Sequence, residues 1–200
     1  MKTPLILSFQ FMTDHTFLQI LENDSGLTDI PATHDWIKEN KKSIELKLEE
    51  HGAILFKDLP TETAEDFDQF VSTFNYDTFT YEKSLSNAVR INKTSKVFTA
   101  NEAPREVEIF LHHEMAQTPS YPKNIFFFCK SASETGGETP LCRSDQLYEA
   151  LLREDKTLVE SFEKFGVIYN SIMSSGDELI SGQGRSWQKT LGVSSKNGAE

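Results

Sequence analysis

Apolar residues first recur with a helical period in the stretch that Asp35 opens. Trp36, Ile37, Ile44, Leu46 and Leu48 stand there among lysines and glutamates. Asp35 suits an N-cap, since its carboxylate can accept from the orphan backbone N–H groups of a first turn, and Gly52 suits a C-terminal stop. Ala53-Ile54-Leu55-Phe56 is a short apolar run that predicts a buried strand. Thr63 to Asp66 then opens a second helix in the manner of a capping box. Its apolar positions, Phe67, Phe70, Val71 and Phe74, fall on one stripe. Helix, strand and helix make an α/β lead-in, preceded by a mixed segment, residues 1–34, that Thr3-Pro4 and Ile30-Pro31 interrupt.

Beyond a polar, turn-rich stretch from 75 to 95, the pattern turns from helical to extended. Strands are predicted at Lys96–Thr99, Ile109–Gln117, Asn124–Cys129 and Thr139–Cys142, with loops at 101–104 and 131–137. The run Asn124-Ile125-Phe126-Phe127-Phe128-Cys129 is apolar on both faces and is the strongest of these signals. Ser144-Asp145 caps a helix bearing Leu147, Tyr148, Leu151 and Leu152. Another helix runs near Thr157 to Phe165 and stops at Gly166, and Val167-Ile168-Tyr169 returns to strand. From Ser174 the chain is polar and glycine-rich, with no evident closing element.

Candidate chemistry centres on His112-His113-Glu114, set in the apolar strand Ile109–Gln117. Side chains on a strand alternate faces, so His112 and Glu114 point one way and His113 the other. An imidazole and a carboxylate on one face are two thirds of the facial triad of non-haem Fe(II) oxygenases. Zinc accepts the same ligand types, and a bare His-x-Glu also arises by chance as a surface pair. Apolar flanks argue for the metal, because a buried charge is costly unless it is paired or ligating. Gly136-Gly137-Glu138-Thr139-Pro140 offers a turn with positive φ, followed by a hydroxyl on a strand that can donate to a carboxylate. Read alone, it is an ordinary hairpin turn. Trp187 beside Arg185 is either a substrate wall or plain packing.

Composition narrows the function. The 200 residues suit one domain, and a net charge of −11 argues against nucleic acid as a partner, since phosphate binding needs a basic patch. An anionic small substrate would need local cations, and Arg90, Arg143 and Arg185 are candidates. No apolar window approaches the roughly eighteen residues of a transmembrane helix, and Met1–Gln10 lacks the layout of a signal peptide. The expectation is a cytoplasmic protein with Cys129 and Cys142 as free, buried thiols.

Taken together and in order, the motifs resemble the TauD/TfdA-like taurine dioxygenase superfamily, within it the clavaminate synthase-like branch. The matching stretches are Val97-Phe98-Thr99-Ala100-Asn101-Glu102, His112-His113-Glu114-Met115-Ala116-Gln117, Pro122 through Cys129, Gly136-Gly137-Glu138-Thr139-Pro140 and Gly184-Arg185-Ser186-Trp187-Gln188. They span about residues 45 to 195. The pairing of His-His-Glu-Met-Ala-Gln with Gly-Gly-Glu-Thr-Pro about twenty residues later is specific.

The resemblance implies an α+β chain with a double-stranded β-helix (jelly-roll) core and flanking helices, incomplete at the C-terminus. It implies Fe(II) with 2-oxoglutarate as cosubstrate, O2, and a small polar or amino-acid-like substrate that is hydroxylated with release of succinate and CO2. His112 and Glu114 resemble the first histidine and the carboxylate of the iron triad, hence the catalytic and metal residues. Thr139 resembles the threonine that contacts the 2-oxoglutarate carboxylate. Related halogenases carry a small residue at the carboxylate position, so Glu114 favours hydroxylation. No nucleic acid and no membrane are implied as partners, and an oligomer is compatible.

The chain departs from the family pattern in one respect: the second iron histidine and the 2-oxoglutarate arginine of the family lie far downstream, and no histidine follows His113. The expectation is therefore that residues 1–200 are the N-terminal part of one such domain, with 1–34 as lead-in and 35–200 as α/β lead-in and first jelly-roll strands. Two rivals remain at this point. One is a catalytically incomplete scaffold that binds a ligand or partner. The other is a zinc hydrolase on a cupin-like barrel.

Overall fold

The computed structural model describes residues 17–79, 90–100, 102, 106–118, 120–170, 172–176 and 185–199. The first ordered unit is strand β1 (Gln19–Leu21), helix α1 (Ile30–His51) and strand β2 (Ile54–Phe56). β1 and β2 are parallel, with Gln19 opposite Ile54 and Leu21 opposite Phe56, and α1 is the crossover that a parallel pair requires. Gly52 ends α1 as expected: its φ of 77° is the left-handed conformation, and its N–H returns to the Leu48 carbonyl.

α1 begins earlier than its apolar period suggests. Asp29, not Asp35, is the N-cap and accepts from the Ala32 N–H. Pro31 lies in the first turn, where its missing N–H costs nothing and its fixed φ favours the helix. A proline that reads as a break is here a start.

Helix α2 (Ala64–Thr73) carries the capping box that its sequence announces: Thr63 accepts from Asp66 N–H, and the Asp66 carboxylate accepts from Thr63 N–H. The Thr63 side chain, and then the backbone N–H groups of Glu62 and Thr63 that donate to it, hold the Asp66 carboxyl below its ordinary range. The Phe stripe of α2 packs on α1. Ile37, Ile44, Phe70 and Phe74 are buried together, with Leu21, Phe56, Phe67, Tyr76 and Phe126 around them. Full burial of a side chain like Phe74 contributes about 1.5–3 kcal/mol. Lys41 Nζ donates to the Phe74 carbonyl at 2.7 Å, and Tyr76 donates to Glu45 at 2.8 Å, so α1 also grips the chain where α2 ends.

Helices α3 (Ser144–Glu154) and α4 (Lys156–Phe165) form a hairpin. Arg143, rather than Ser144, is the N-cap residue of α3, and it also reaches back to the Glu50 carbonyl at the end of α1. Asp155 caps α4, and Gly166 ends it. Two short helices, α5 (Trp187–Leu191) and α6 (Lys196–Ala199), occupy the segment for which the sequence predicted no closing element.

The predicted strands fare differently. Among the described residues the only sheet is the β1–β2 pair, and the jelly roll is not among them. Lys96–Thr99 contributes an isolated antiparallel bridge, Asn92 to Phe98. Segments 109–117, 124–129, 139–142 and 167–169 are irregular, and Ile109, Phe110, Leu111, Leu141, Val167, Ile168 and Tyr169 are exposed rather than buried. A strand takes its hydrogen bonds from a neighbouring backbone, and no described backbone forms a ladder with these. Alternation survives without the ladder: Phe126 meets Phe74 at 5.4 Å and Phe128 stacks on Phe67 at 5.3 Å, while Phe127 between them is exposed. Cys129 and Cys142 are free as expected but exposed, not buried.

Candidate functional site

His112 and Glu114 do come together. His112 Nε2 lies 4.0 Å from Glu114 Oε2. The backbone has no regular structure over 111–113 and folds into a turn over 114–117. Met115 makes the turn with a φ of 62° and is itself buried, which anchors the residue next to Glu114. The Ala116 N–H bonds the His113 carbonyl and the Thr118 N–H bonds the Met115 carbonyl, closing that turn locally.

The tautomer of His112 follows from its other nitrogen. Nδ1 is 2.7 Å from the Phe110 carbonyl oxygen. A carbonyl only accepts, so Nδ1 carries the hydrogen and, in the neutral ring, Nε2 carries the lone pair. The nitrogen able to ligate is thus the one that faces Glu114. An N/O pair of this type suits Fe(II) or zinc. Two donors in adjacent positions on one ion, each at roughly 2.1 Å, sit about 3 Å apart, so a closure of about 1 Å would bring this pair to ligand spacing. The His112 side chain, 58% exposed, has room for it. Among the described residues no third His, Cys, Asp or Glu joins the pair.

His113 points elsewhere. Its Nε2 lies 2.6 Å from the Ser144 hydroxyl at the start of α3.

Arg90 was legible only as one of three available cations, and its position beside the site was not. Its Nη2 donates to Glu114 Oε1 at 3.2 Å, with the two side chains only 15% and 19% exposed. Its Nη1 bonds the carbonyls of Thr99 and Ala100, and its guanidinium lies 5.7 Å from the Phe98 ring centroid. The other two cations serve the scaffold: Arg143 bonds Asp145 and Glu50, and Arg185 bonds the Lys189 carbonyl. Trp187 opens α5, and its backbone N–H bonds Ser174. Asn101 and Gly184, within two of the motifs, lie outside the described residues.

Thr139 lines an open cleft of about 550 Å³ with Ala100, Phe127, Phe128, Cys129, Lys130 and Ser131. Gly136 and Gly137 precede it with φ of 68° and 80°, the turn that two glycines permit. A Cβ on Gly137 would sit 2.5 Å from the Ser133 hydroxyl, so the close approach is real at that position. Ala100 joins the two parts of the site, since it lines the cleft and its carbonyl receives Arg90.

The family described as "Taurine catabolism dioxygenase TauD, TfdA family" matches residues 21–186. A clavaminate synthase-like protein of Arabidopsis thaliana is 35% identical over 171 residues, covering 86% of this chain and 51% of that protein. The dapdiamide synthesis protein DdaC of Enterobacter agglomerans is 28% identical over 154 residues, covering 76% of this chain and 43% of its own length. The chain thus spans about half the length of these relatives. No helix among the described residues is long and apolar enough to cross a membrane. The chain belongs to the TauD/TfdA dioxygenase family.

Proposed function

We propose that this chain carries the first part of an Fe(II)- and 2-oxoglutarate-dependent dioxygenase, a cytoplasmic enzyme that hydroxylates a small polar or amino-acid-like substrate. The observation that carries the reading is the facing of His112 Nε2 and Glu114 Oε2, with Nδ1 tied to the Phe110 carbonyl. Family membership supports the choice of iron over zinc. Iron held there supplies oxygen activation coupled to decarboxylation of 2-oxoglutarate to succinate and CO2.

The chain's own residues do the holding. His112 and Glu114 provide one nitrogen and one oxygen ligand. The Thr139 hydroxyl donates to a carboxylate of 2-oxoglutarate, and Lys130, in the same cleft wall, gives that anion a cation. Phe127 and Phe128 give the cleft an apolar side against which the carbon chain of the cosubstrate would lie. The proposal keeps residues 1–200 as the N-terminal part of one jelly-roll domain, with the second histidine and the arginine supplied from outside these residues.

The test is an anaerobic Fe(II) titration of the chain, followed by 2-oxoglutarate. The expected result is binding that His112→Ala and Glu114→Ala abolish, and a visible band that needs both iron and 2-oxoglutarate. Metal binding indifferent to both substitutions overturns the reading.

A second reading, a ligand- or partner-binding scaffold, draws on the exposed apolar side chains of Ile109, Phe110 and Leu111 and of Phe165, Val167 and Ile168. Succinate formation from 2-oxoglutarate separates the two.

A further inference from the structure

We infer that Arg90 is the positioning residue of the iron site: it takes Oε1 of Glu114 and turns Oε2 toward His112, so that the carboxylate meets the metal through one oxygen. The inference rests on the iron reading above and deepens it.

The guanidinium is itself held. The Thr99 and Ala100 carbonyls take Nη1, and Cζ lies over the Phe98 ring, 5.7 Å from its centroid. Those residues belong to a tight backbone return: Asn92 bridges Phe98, the Ile91 N–H bonds the Thr99 hydroxyl at 3.0 Å, and the Lys93 N–H bonds the Val97 carbonyl at 2.8 Å. A planar fork fixed on such a return offers its second arm in one direction only. Glu114 Oε1 receives that arm at 3.2 Å, and Oε2 is left 4.0 Å from His112 Nε2. Partial burial strengthens the charge-assisted bond.

The consequence is chemical. A carboxylate that chelates through both oxygens fills two coordination positions, whereas one held by Arg90 fills one. A three-residue facial site needs its remaining three positions for a chelating cosubstrate and oxygen. Arg90 therefore protects the coordination count, as a partner outside the metal's ligand set does by orienting a ligand.

The test uses Co(II), whose visible spectrum reports ligand number and geometry, titrated anaerobically into the whole chain. Arg90→Met is expected to bind at least about tenfold more weakly with an altered spectrum. Arg90→Lys, which keeps the charge and loses the second arm, is expected to recover part of the affinity but not the spectrum. This variant carries the test whether or not Arg90→Met folds. Unchanged affinity and spectrum in Arg90→Lys, or tighter binding in Arg90→Met, overturns the inference. His112→Ala and Glu114→Gln separate the two levels. If they abolish binding while the Arg90 variants match the parent, the iron reading stands and only the role of Arg90 falls. If they do not, the iron reading falls as well.

Discussion

His113 Nε2 lies 2.6 Å from Ser144 Oγ, thirty-one positions away, while its neighbour His112 faces Glu114. One histidine pair thus serves two ends: one ring faces the candidate ligand carboxylate and the other ties that segment to the first residue of α3. His113→Ala should leave Co(II) affinity and spectrum unchanged. It should lower stability by about 1 kcal/mol in urea unfolding, the ordinary worth of one hydrogen bond. Loss of metal binding in that variant would move the site to the other ring.

The Phe126–Phe127–Phe128 run separates core from cleft. Phe126 packs on Phe74 and Tyr76, whereas Phe127 is 57% exposed. Phe126→Ala should cost about 2 kcal/mol or more, and Phe127→Ala less than about 1 kcal/mol. Phe74→Ala, at the centre of the cluster, should cost about 3–5 kcal/mol. Equal losses at 126 and 127 in urea unfolding would contradict the alternation.

Burial, and then the hydrogen bond to Glu45, push the Tyr76 hydroxyl up from 10.0 to about 12. The neutral phenol is thus favoured by folding. The unfolded chain releases its proton first, so this contribution is complete below pH 10.0 and fades as pH rises toward about 12. Urea midpoints across that window should fall more steeply for the parent than for Tyr76→Phe. A parallel decline in both would show that Tyr76 is not the group responsible.

Gly136 and Gly137 make an internal control for the cleft. Both have positive φ, but only Gly137 faces a neighbour that a Cβ would strike. Gly136→Ala should cost about 1 kcal/mol, the ordinary penalty of a left-handed alanine. Gly137→Ala should cost more and should also weaken 2-oxoglutarate binding, because Thr139 follows it into the cleft wall. Isothermal titration with 2-oxoglutarate on the metal-loaded chain reads the second effect, and an unchanged affinity would detach the turn from the cleft.

The sequence by itself determined what depends on nearby residues. The Thr63–Asp66 box, the Phe stripe of α2, the Gly52 and Gly166 stops and the Gly136-Gly137 turn were all legible, because helix caps and turns are satisfied within a few positions. His112 and Glu114 do lie 4.0 Å apart, although the strand the sequence predicted for them is a turn from 114 onward. Tertiary structure alone decided the rest. Among the described residues it left four apolar runs without a ladder, since a strand depends on a partner that sequence does not specify, and it brought Arg90 to a carboxylate twenty-four positions on. Both depend on which distant backbone folds alongside, and the alternation of side chains along one segment carries no record of that.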